Sequence, residues 1–289
     1  MKEVMSMDRQ FAYSKVPLIT GGFWLAKLIS TGLGESVSDF SVGIFGQKNQ
    51  VAGAIFTVVW SLGLFSFFLI RQLRNDRYQP INYWLSVALL AVFGTFSADG
   101  FKAVTGLHYF ETTMIFFVLM LASFAVWYSQ SHDLSIHHIT SRLNEVFYWL
   151  TVAFSFMLGT AAGDWMASSR SGAYNIDTSS LGLGFLNTGL LLGAIFLVLV
   201  AFRRFGKPTQ NGLPEIISFW AAYALTRPIG ASFADYFGYD FHGGVLGNRG
   251  MSLIWFVAFV IVLTVIVKKS GSTSVQLEQP VEETMAHQK

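Results

Sequence analysis

The sequence predicts an all-α membrane protein with eight transmembrane helices, arranged as four parallel two-helix repeats around a pseudo-fourfold or nested twofold axis along the membrane normal. Three observations lead to this prediction: an apolar composition, eight apolar stretches of membrane-spanning length, and a motif that occurs four times. Of the 289 residues, 53% are hydrophobic and 12% are charged, and the mean hydropathy is +0.49. Such a chain has too few charges for an ordinary water-exposed surface.

Eight apolar stretches are long enough to cross a bilayer, which takes roughly 20 residues per helix. They lie at about residues 17–40, 50–71, 80–101, 109–128, 144–166, 181–202, 213–237 and 249–268. The first stretch follows a polar, charged segment and carries the repeated motif. It is therefore expected to be a retained span and not a cleaved signal peptide.

The repeated motif is an aromatic residue and a tryptophan, nine further residues, a glycine, four further residues and an aspartate. Its copies run from Phe23-Trp24 through Gly34 to Asp39, from Tyr83-Trp84 through Gly94 to Asp99, from Tyr148-Trp149 through Gly159 to Asp164, and from Phe219-Trp220 through Gly230 to Asp235. Regular spacing in four copies indicates an internal repeat of one supersecondary unit. Each copy occupies the first of two spans, so each repeat is expected to hold two helices.

The repeats and their flanking segments can be placed from this pattern. The prediction is an N-terminal tail at 1–16, repeats at 17–74, 78–131, 142–205 and 213–269, and a polar, disordered tail at 270–289. From Lys2 to Lys269, twelve Lys and Arg residues fall in the N-terminal tail, in the loops and at the end of the last span on one side of the predicted membrane, against four on the other. Cytoplasmic loops carry the excess of positive charge, which predicts an inner-membrane protein with both termini in the cytoplasm. All four repeats then enter the membrane in the same direction.

Ionisable residues of the motif helices share one helix face. Residues four apart lie on the same side of a helix, and this spacing gives the stripes Lys27-Thr31-Glu35-Asp39, Val87-Ala91-Thr95-Asp99, Val152-Phe156-Thr160-Asp164 and Tyr223-Arg227-Ala231-Asp235. The stripes hold five carboxylates and two cations, a formal surplus of three negative charges. Such a face is not expected to contact lipid.

Other motif residues have structural interpretations. Each motif glycine is followed four residues later by a second small residue, a spacing that lets helices approach closely in lipid. The aromatic-tryptophan pairs are expected to anchor the helices at the inner membrane interface. Lys27 and Arg227 are expected to neutralise two of the carboxylates. Pro228, inside the last motif helix, is expected to release the carbonyl of Ala224 and kink the chain.

The carboxylates suggest a cation site. Glu35, Asp39, Asp99, Asp164 and Asp235 supply only oxygen ligands, as do the nearby hydroxyls. The supporting hydroxyls are Ser36, Thr95, Thr160 and Ser232. Oxygen ligands suit Mn²⁺, Mg²⁺ or Ca²⁺ and not soft metals. The alternative is that the aspartates reach outer water or pair structurally, but a carboxylate near a helix C-terminus opposes the helix dipole.

The chain resembles a family of bacterial membrane proteins built from four tandem repeats of unknown function, each with two transmembrane regions and a characteristic tryptophan. The stretches that carry the resemblance are Gly34-Glu35-Ser36, Gly159-Thr160-Ala161-Ala162-Gly163-Asp164-Trp165 and Thr226-Arg227-Pro228-Ile229-Gly230-Ala231-Ser232, and the resemblance covers about residues 14–269. It implies four two-helix repeats. It implies no activity.

Two functional hypotheses follow from the stripes. The first is a transporter for a hard cation, alone or in exchange for protons, with an axial site of the four aspartates and Glu35. The second is a non-transporting scaffold or sensor whose carboxylates form a buried ion-pair network. An intramembrane hydrolase is disfavoured because four equivalent aspartates give no division between acid and base, so the protein is not expected to be an enzyme.

The expected partners follow from the same observations. They are the lipid bilayer and a small inorganic cation, with the cation as substrate and no further cofactor. A net charge of +2 gives no indication of nucleic-acid binding, and the chain has no cysteine for a thiolate metal site. The sequence is compatible with a homo-oligomer.

Overall fold

The computed structural model describes residues 14–46, 50–169, 177–206, 208–209 and 212–286, without the side chains of Gln50 and residues 271–286. Eight long helices make up most of this described part. They are α1 (Gly21–Phe45), α2 (Gln50–Arg74), α3 (Pro80–Thr105), α4 (Tyr109–Ser131), α5 (Arg142–Ala167), α6 (Phe185–Phe205), α7 (Leu213–Asp235) and α8 (Gly247–Ala286). Short helical turns cover Ile136–His138, Tyr236–Asp240 and Phe241–Gly243.

Local sequence signals set several helix ends. The Thr20 hydroxyl accepts a hydrogen bond from the Phe23 N–H at the start of α1, and the Ser141 hydroxyl accepts one from the Asn144 N–H at the start of α5. Helices α3 and α7 each have a proline within their first two positions, where its missing N–H costs nothing. Gly106 ends α3 in the left-handed conformation, with φ of 71°.

Six of the described helices are long and apolar enough to cross a membrane: α2, α3, α4, α5, α6 and the part of α8 from Gly247 to Ser270. Helices α1 and α7 have a comparable length, 25 and 23 residues, but each carries three charged residues. These are Lys27, Glu35 and Asp39 on α1, and Glu215, Arg227 and Asp235 on α7. The fold is thus an all-α bundle compatible with a helical membrane protein.

The motif helices lie inside the bundle. Helix α1 packs against α3 and α7, and α5 packs against the same two helices, so α1, α3, α5 and α7 follow one another around a closed circuit. Helices α2, α4, α6 and α8 lie outside. Their most apolar segments are 17–28% buried, compared with 67% for α3 and 56% for α5. The outer helices therefore present most of the exposed apolar surface.

Each outer helix packs mainly against the motif helix of the following repeat. Helix α2 lies on α3, α4 on α5 and α6 on α7, while α8 returns to lie on α1. The two helices of a repeat therefore contact each other less than they contact the neighbouring repeats. The contact of α8 with α1 joins the last repeat to the first.

The motif glycines lie at the contacts between motif helices. Each faces the residue three positions before the glycine of the next motif helix. The pairs are Gly34 with Ala91, Gly94 with Phe156, Gly159 with Arg227, and Gly230 with Thr31. A Cβ on Gly34 would lie 2.2 Å from the Ala91 Cβ, and a Cβ on Gly230 would lie 2.1 Å from the Thr31 Oγ1. The prediction that these glycines serve close packing is confirmed.

The expected anchoring role of the aromatic-tryptophan pairs is wrong. All eight side chains are at most 7% exposed, so they lie inside the protein and not at a lipid interface. The motif helices form the inside of the bundle, which turns these side chains toward one another. We call Phe23, Tyr83, Tyr148 and Phe219, the first residue of each pair, the aromatic plug. Its members approach across helices, with Tyr83 stacked on Tyr148 and Phe23 6.3 Å from Phe219 between ring centroids.

The C-terminal segment also differs from the expectation. Helix α8 continues to Ala286, through most of the 270–289 segment that the sequence predicts to be a disordered tail. The segment contains Gln276, Leu277, Glu278 and Met285, residue types that favour helix and extend the preceding span. The predicted N-terminal tail lies largely outside the described residues.

The close approach of α1 and α3 at Gly34 gives a stability prediction. We expect Gly34→Ala to destabilise the purified protein by about 1–3 kcal/mol, because the new methyl group overlaps the Ala91 side chain and backbone. Gly63→Ala on α2 is the matched control, since a Cβ there meets no atom within 4 Å. Thermal unfolding in detergent measures both, and equal unfolding midpoints for the two variants would contradict the role of Gly34.

Candidate functional site

All five carboxylates of the stripes line one cavity. The cavity has a volume of about 300 Å³, and we call it the acidic cavity. Its lining consists of Glu35, Asp39, Asp99, Asp164, Asp235, Tyr109, Phe185 and Tyr239. The four motif helices bring one aspartate each, because their aspartates follow the close-packed glycines by five residues. The structure therefore brings together the carboxylates that the sequence separates by up to 200 positions.

Three of the carboxylates lie close enough to share one ion. Glu35, Asp39 and Asp235 each offer an oxygen, and these oxygens lie within 4.8 Å of one another. Two oxygens that bind the same Ca²⁺ at about 2.3–2.6 Å are separated by at most about 5 Å. The side chains of Asp99, Asp164 and Asp235 make no hydrogen bond or ion pair with the residues that the structure describes. Their oxygen atoms are available to a ligand.

Glu35 has a cationic partner at the base of the acidic cavity. The Arg227 guanidinium donates hydrogen bonds to the Glu35 carboxylate and to the Thr95 hydroxyl. It also donates to the Thr31 carbonyl at 3.1 Å, while Thr95 donates to Glu35 at 3.3 Å. The Arg227 and Glu35 side chains are 1% and 6% exposed. This buried network connects α7, α1 and α3. The prediction that Arg227 neutralises one of the carboxylates is confirmed, and the structure identifies this carboxylate as Glu35.

Lys27 does not pair with a carboxylate, so the expectation that it neutralises one is wrong. Its ammonium lies 3.7 Å from the centre of the Phe156 ring and 4.0 Å from that of Tyr223. It forms no ion pair or side-chain hydrogen bond with the described residues, and the side chain is 1% exposed. Two helical turns separate Lys27 from Glu35 along α1, which places the ammonium among aromatic rings instead of carboxylates.

The four predicted supporting hydroxyls do not line the acidic cavity. Thr95 supports it indirectly through Glu35 and Arg227. The Thr160 hydroxyl donates to the Phe156 carbonyl at 3.2 Å. The Ser36 and Ser232 hydroxyls are buried and have no hydrogen-bond partner among the described residues.

Tyr239 is a cavity residue that sequence reasoning missed. It lies in the helical turn Tyr236–Asp240, directly after α7, and donates a hydrogen bond of 2.7 Å to Asp39. Asn248 in turn donates to the Tyr239 hydroxyl at 2.6 Å. Tyr109 and Phe185, at the starts of α4 and α6, were also missed. No periodic pattern marks these residues, because they lie at helix ends and in irregular segments.

A second cavity adjoins the acidic cavity. It has a volume of about 510 Å³ and shares Asp99 and Tyr109 with the first. Asp177 lies in its wall and accepts hydrogen bonds from the Tyr109 N–H at 2.9 Å and from the Ser179 N–H and hydroxyl. Burial raises the pKa of this carboxyl, but the bonds from Ser179 and Tyr109 and the charge of Lys102 outweigh it and hold the pKa below its ordinary value. Asp177 thus stays ionised and fixes the start of α4 beside both cavities.

Charge changes sign along the motif helices. At the tryptophan end lies the aromatic plug, and the next stripe positions are Lys27 and Tyr223, then Arg227, then Glu35, and finally the four aspartates. The side chains of the aromatic plug are at most 2% exposed, and so are the first residues of the four stripes, Lys27, Val87, Val152 and Tyr223. The interior is therefore closed and cationic toward the tryptophan end and open and anionic at the aspartate end.

The Arg227–Glu35 pair gives a second stability prediction. We expect Arg227→Met to destabilise the protein by about 3–5 kcal/mol, because it leaves Glu35 as a buried charge without its partner. The double variant Arg227→Met with Glu35→Gln should recover much of this loss. Unfolding in detergent measures both, with Arg249→Met at an exposed position as the control. A double variant no more stable than Arg227→Met would contradict the pairing.

A comparison with known families identifies the repeat. The family model described as "Repeat of Unknown Function (DUF347)" matches residues 82–133, 147–207 and 218–271, which together make up more than half of the chain. These segments contain the second, third and fourth copies of the motif. No curated protein and no solved structure matches the chain. The chain belongs to the DUF347 family of repeats of unknown function.

Proposed function

We propose that the protein is a membrane transporter for a hard cation, Mn²⁺, Mg²⁺ or Ca²⁺, and that the ion occupies the acidic cavity. The observation that supports this function is the convergence of five carboxylates from four helices on one cavity. Arg227 is the single cation in ion-pair contact with these carboxylates among the described residues. Four carboxylates are left without a fixed counter-charge.

A mobile cation would compensate these four carboxylates. Charged groups at membrane depth are costly unless they pair or face water, so the acidic cavity has to hold water, protons or cations. Its side-chain ligands are oxygen atoms, with Tyr239 adding a phenol hydroxyl to the carboxylates. Oxygen-only sites prefer hard divalent ions. The proposed site consists of Asp39, Asp99, Asp164, Asp235 and Glu35.

In the proposed architecture all eight helices cross the membrane. Helices α1 and α7 carry charged residues near their middle, but Arg227 and Glu35 face each other inside the bundle and need not contact lipid. The repeated glycine contacts and the docking of each outer helix on the next repeat support a pseudo-fourfold axis. The Lys and Arg distribution supports cytoplasmic termini in an inner membrane. The acidic cavity then faces the outer side.

The closed tryptophan end favours a carrier over an open channel. The aromatic plug and Lys27 fill the interior between the acidic cavity and the cytoplasmic side. A cation that moved inward from the cavity would meet Arg227 first and Lys27 next. Transport would thus require a rearrangement of the motif helices, for which Pro228 in α7 provides an interrupted hydrogen-bond ladder.

The Arg227 network favours one alternative function. It connects three motif helices through Glu35, Thr95 and Thr31, and a scaffold or sensor could use such a network to specify its helix arrangement. The two functions differ in what they require of the four unpaired aspartates. A scaffold needs no ion in the acidic cavity, whereas a transporter does.

A flux experiment tests the transporter. We expect proteoliposomes with the wild-type protein to take up Mn²⁺, Mg²⁺ or Ca²⁺, and we expect Asp99→Asn or Asp164→Asn to reduce uptake at least about tenfold, because each removes a charge next to the ion. Glu35→Gln should reduce uptake less, since Arg227 already engages Glu35. Uptake is followed with an ion-sensitive dye inside the vesicles.

The matched control is Asp240→Asn. Asp240 lies five residues after Asp235, is exposed and does not line the acidic cavity. Equal uptake by Asp99→Asn, Asp164→Asn and Asp240→Asn would rule out the proposed site. Folded wild-type protein that transports none of the three ions would favour the scaffold.

A further inference from the structure

Lys27 is a buried cation that the proposed transport site does not use. Its side chain is 1% exposed and its ammonium contacts the faces of Phe156 and Tyr223. A ring face attracts a cation by about 0.5–2 kcal/mol, well below the several kcal/mol that removal of an ion from water costs. No described side chain accepts a hydrogen bond from it. The Lys27 amino group therefore lies in the interior without a counter-charge among the described residues.

The charged groups around Lys27 are few. Helix α7 presents Tyr223 and Arg227, whose guanidinium binds the Thr31 carbonyl one turn from Lys27 on α1. Helix α5 presents Phe156, and Tyr148 of the same helix reaches the Tyr223 hydroxyl at 3.4 Å. From α3, Tyr83 reaches the Tyr148 hydroxyl at 2.5 Å. The remaining ionisable side chains of α2 and of α8 up to residue 270 lie near the ends of the apolar segments of these helices: Arg71, Arg74, Arg249, Lys268 and Lys269.

Arg227 connects the acidic cavity to Lys27. Its charge is balanced by Glu35, one of the three carboxylates whose oxygens lie within 4.8 Å of one another. A divalent ion bound at this group competes with Arg227 for Glu35. The guanidinium then loses its counter-charge while it remains one helical turn from a second buried cation. Arginine keeps its proton in proteins, whereas a buried lysine can release one.

We infer that Lys27 is a proton-binding residue that exchanges its proton for the cation bound in the acidic cavity. This inference rests on the proposed function, because it assigns the coupling reaction of that same site. When the ion binds Glu35, an N–H bond of the Lys27 ammonium breaks, the electron pair stays on Nζ and the proton passes to water. The hydroxyls of Tyr223, Tyr148 and Tyr83 lead from Lys27 toward the tryptophan end. Binding of one divalent cation with release of one proton raises the net charge of the interior by one unit. Cation binding alone would raise it by two units.

Proton release upon cation binding tests the inference. Purified full-length protein in weakly buffered detergent solution is titrated with Mn²⁺, with Mg²⁺ and Ca²⁺ in parallel, while a pH dye records released protons and calorimetry records bound ions. We expect Lys27→Met to bind the ion and to release about one proton fewer per ion than the wild type. Its affinity should accordingly depend less steeply on pH, since each released proton contributes a tenfold change per pH unit.

Lys27→Arg separates proton exchange from a structural need for positive charge. Arginine preserves the charge and its contacts with the rings but does not release a proton. We expect Lys27→Arg to fold like the wild type, to bind the ion at least tenfold more weakly at neutral pH and to release the same reduced number of protons as Lys27→Met. Lys268→Met, near the end of the apolar segment of α8, is the control and should match the wild type.

The outcomes distinguish this inference from the proposed function. Ion binding with the same proton release in Lys27→Arg and wild type would overturn the role of Lys27 and leave the cation site intact. A Lys27→Met variant that fails to fold leaves the Lys27→Arg result decisive. Wild-type protein that binds none of the three ions would overturn the proposed function and this inference with it.

Discussion

The low polarity of a bilayer is the constraint on which the rest of this structure depends. A charged side chain in a membrane-spanning helix must face a partner or a water-filled space. In the proposed architecture α1 and α7 are such helices, and each carries charges near its middle and at the aspartate end. The two helices lie side by side, so that Arg227 of α7 pairs with Glu35 of α1. The motif glycines make it possible, because only helices without a Cβ at these positions approach closely enough. Helix packing and electrostatics therefore select the same arrangement, with the motif helices inside and the apolar helices outside.

This arrangement also orders the charges along the bundle. A symmetrical set of aspartates would attract cations from both sides if the interior were open, but Arg227 and Lys27 lie between the acidic cavity and the aromatic plug. The field of these two cations opposes passage of a bare cation toward the tryptophan end. An ion held among the aspartates can move further only if the cations are displaced or neutralised. For that reason the polarity of the interior is consistent with the coupled exchange that we propose and not with free diffusion of a cation.

The sequence predicted the parts of the fold and site that depend on regular helix geometry. Residues four apart share a helix face in any α-helix, so the stripes from Glu35 to Asp39 and from Arg227 to Asp235 could be placed without a structure. The surroundings of Trp24 and Trp84 could not be predicted from the sequence, because amphipathic side chains suit a lipid interface and a buried helix contact equally well. The separation of Lys27 from every described carboxylate depends on distances between helices. Tyr239 was missed because it belongs to an irregular turn, where no repeat or period constrains its position.

The charged residues that distinguish the repeats from one another lie at the contact between α1 and α7. Lys27 and Glu35 come from the first repeat and Arg227 comes from the fourth, and the return of the chain places α1 beside α7. On the opposite side, α3 and α5 have Thr95, Phe156 and Thr160 at the corresponding levels. The first copy carries both Lys27 and Glu35, which have no charged counterpart at the same stripe positions of the other three copies. A ring of four stripes like those of α3 and α5 would concentrate aspartates with neither a counter-charge nor a lysine on the stripes. Divergence at the α1–α7 contact supplies both, and it does so next to the acidic cavity without altering the glycine contacts that close the ring.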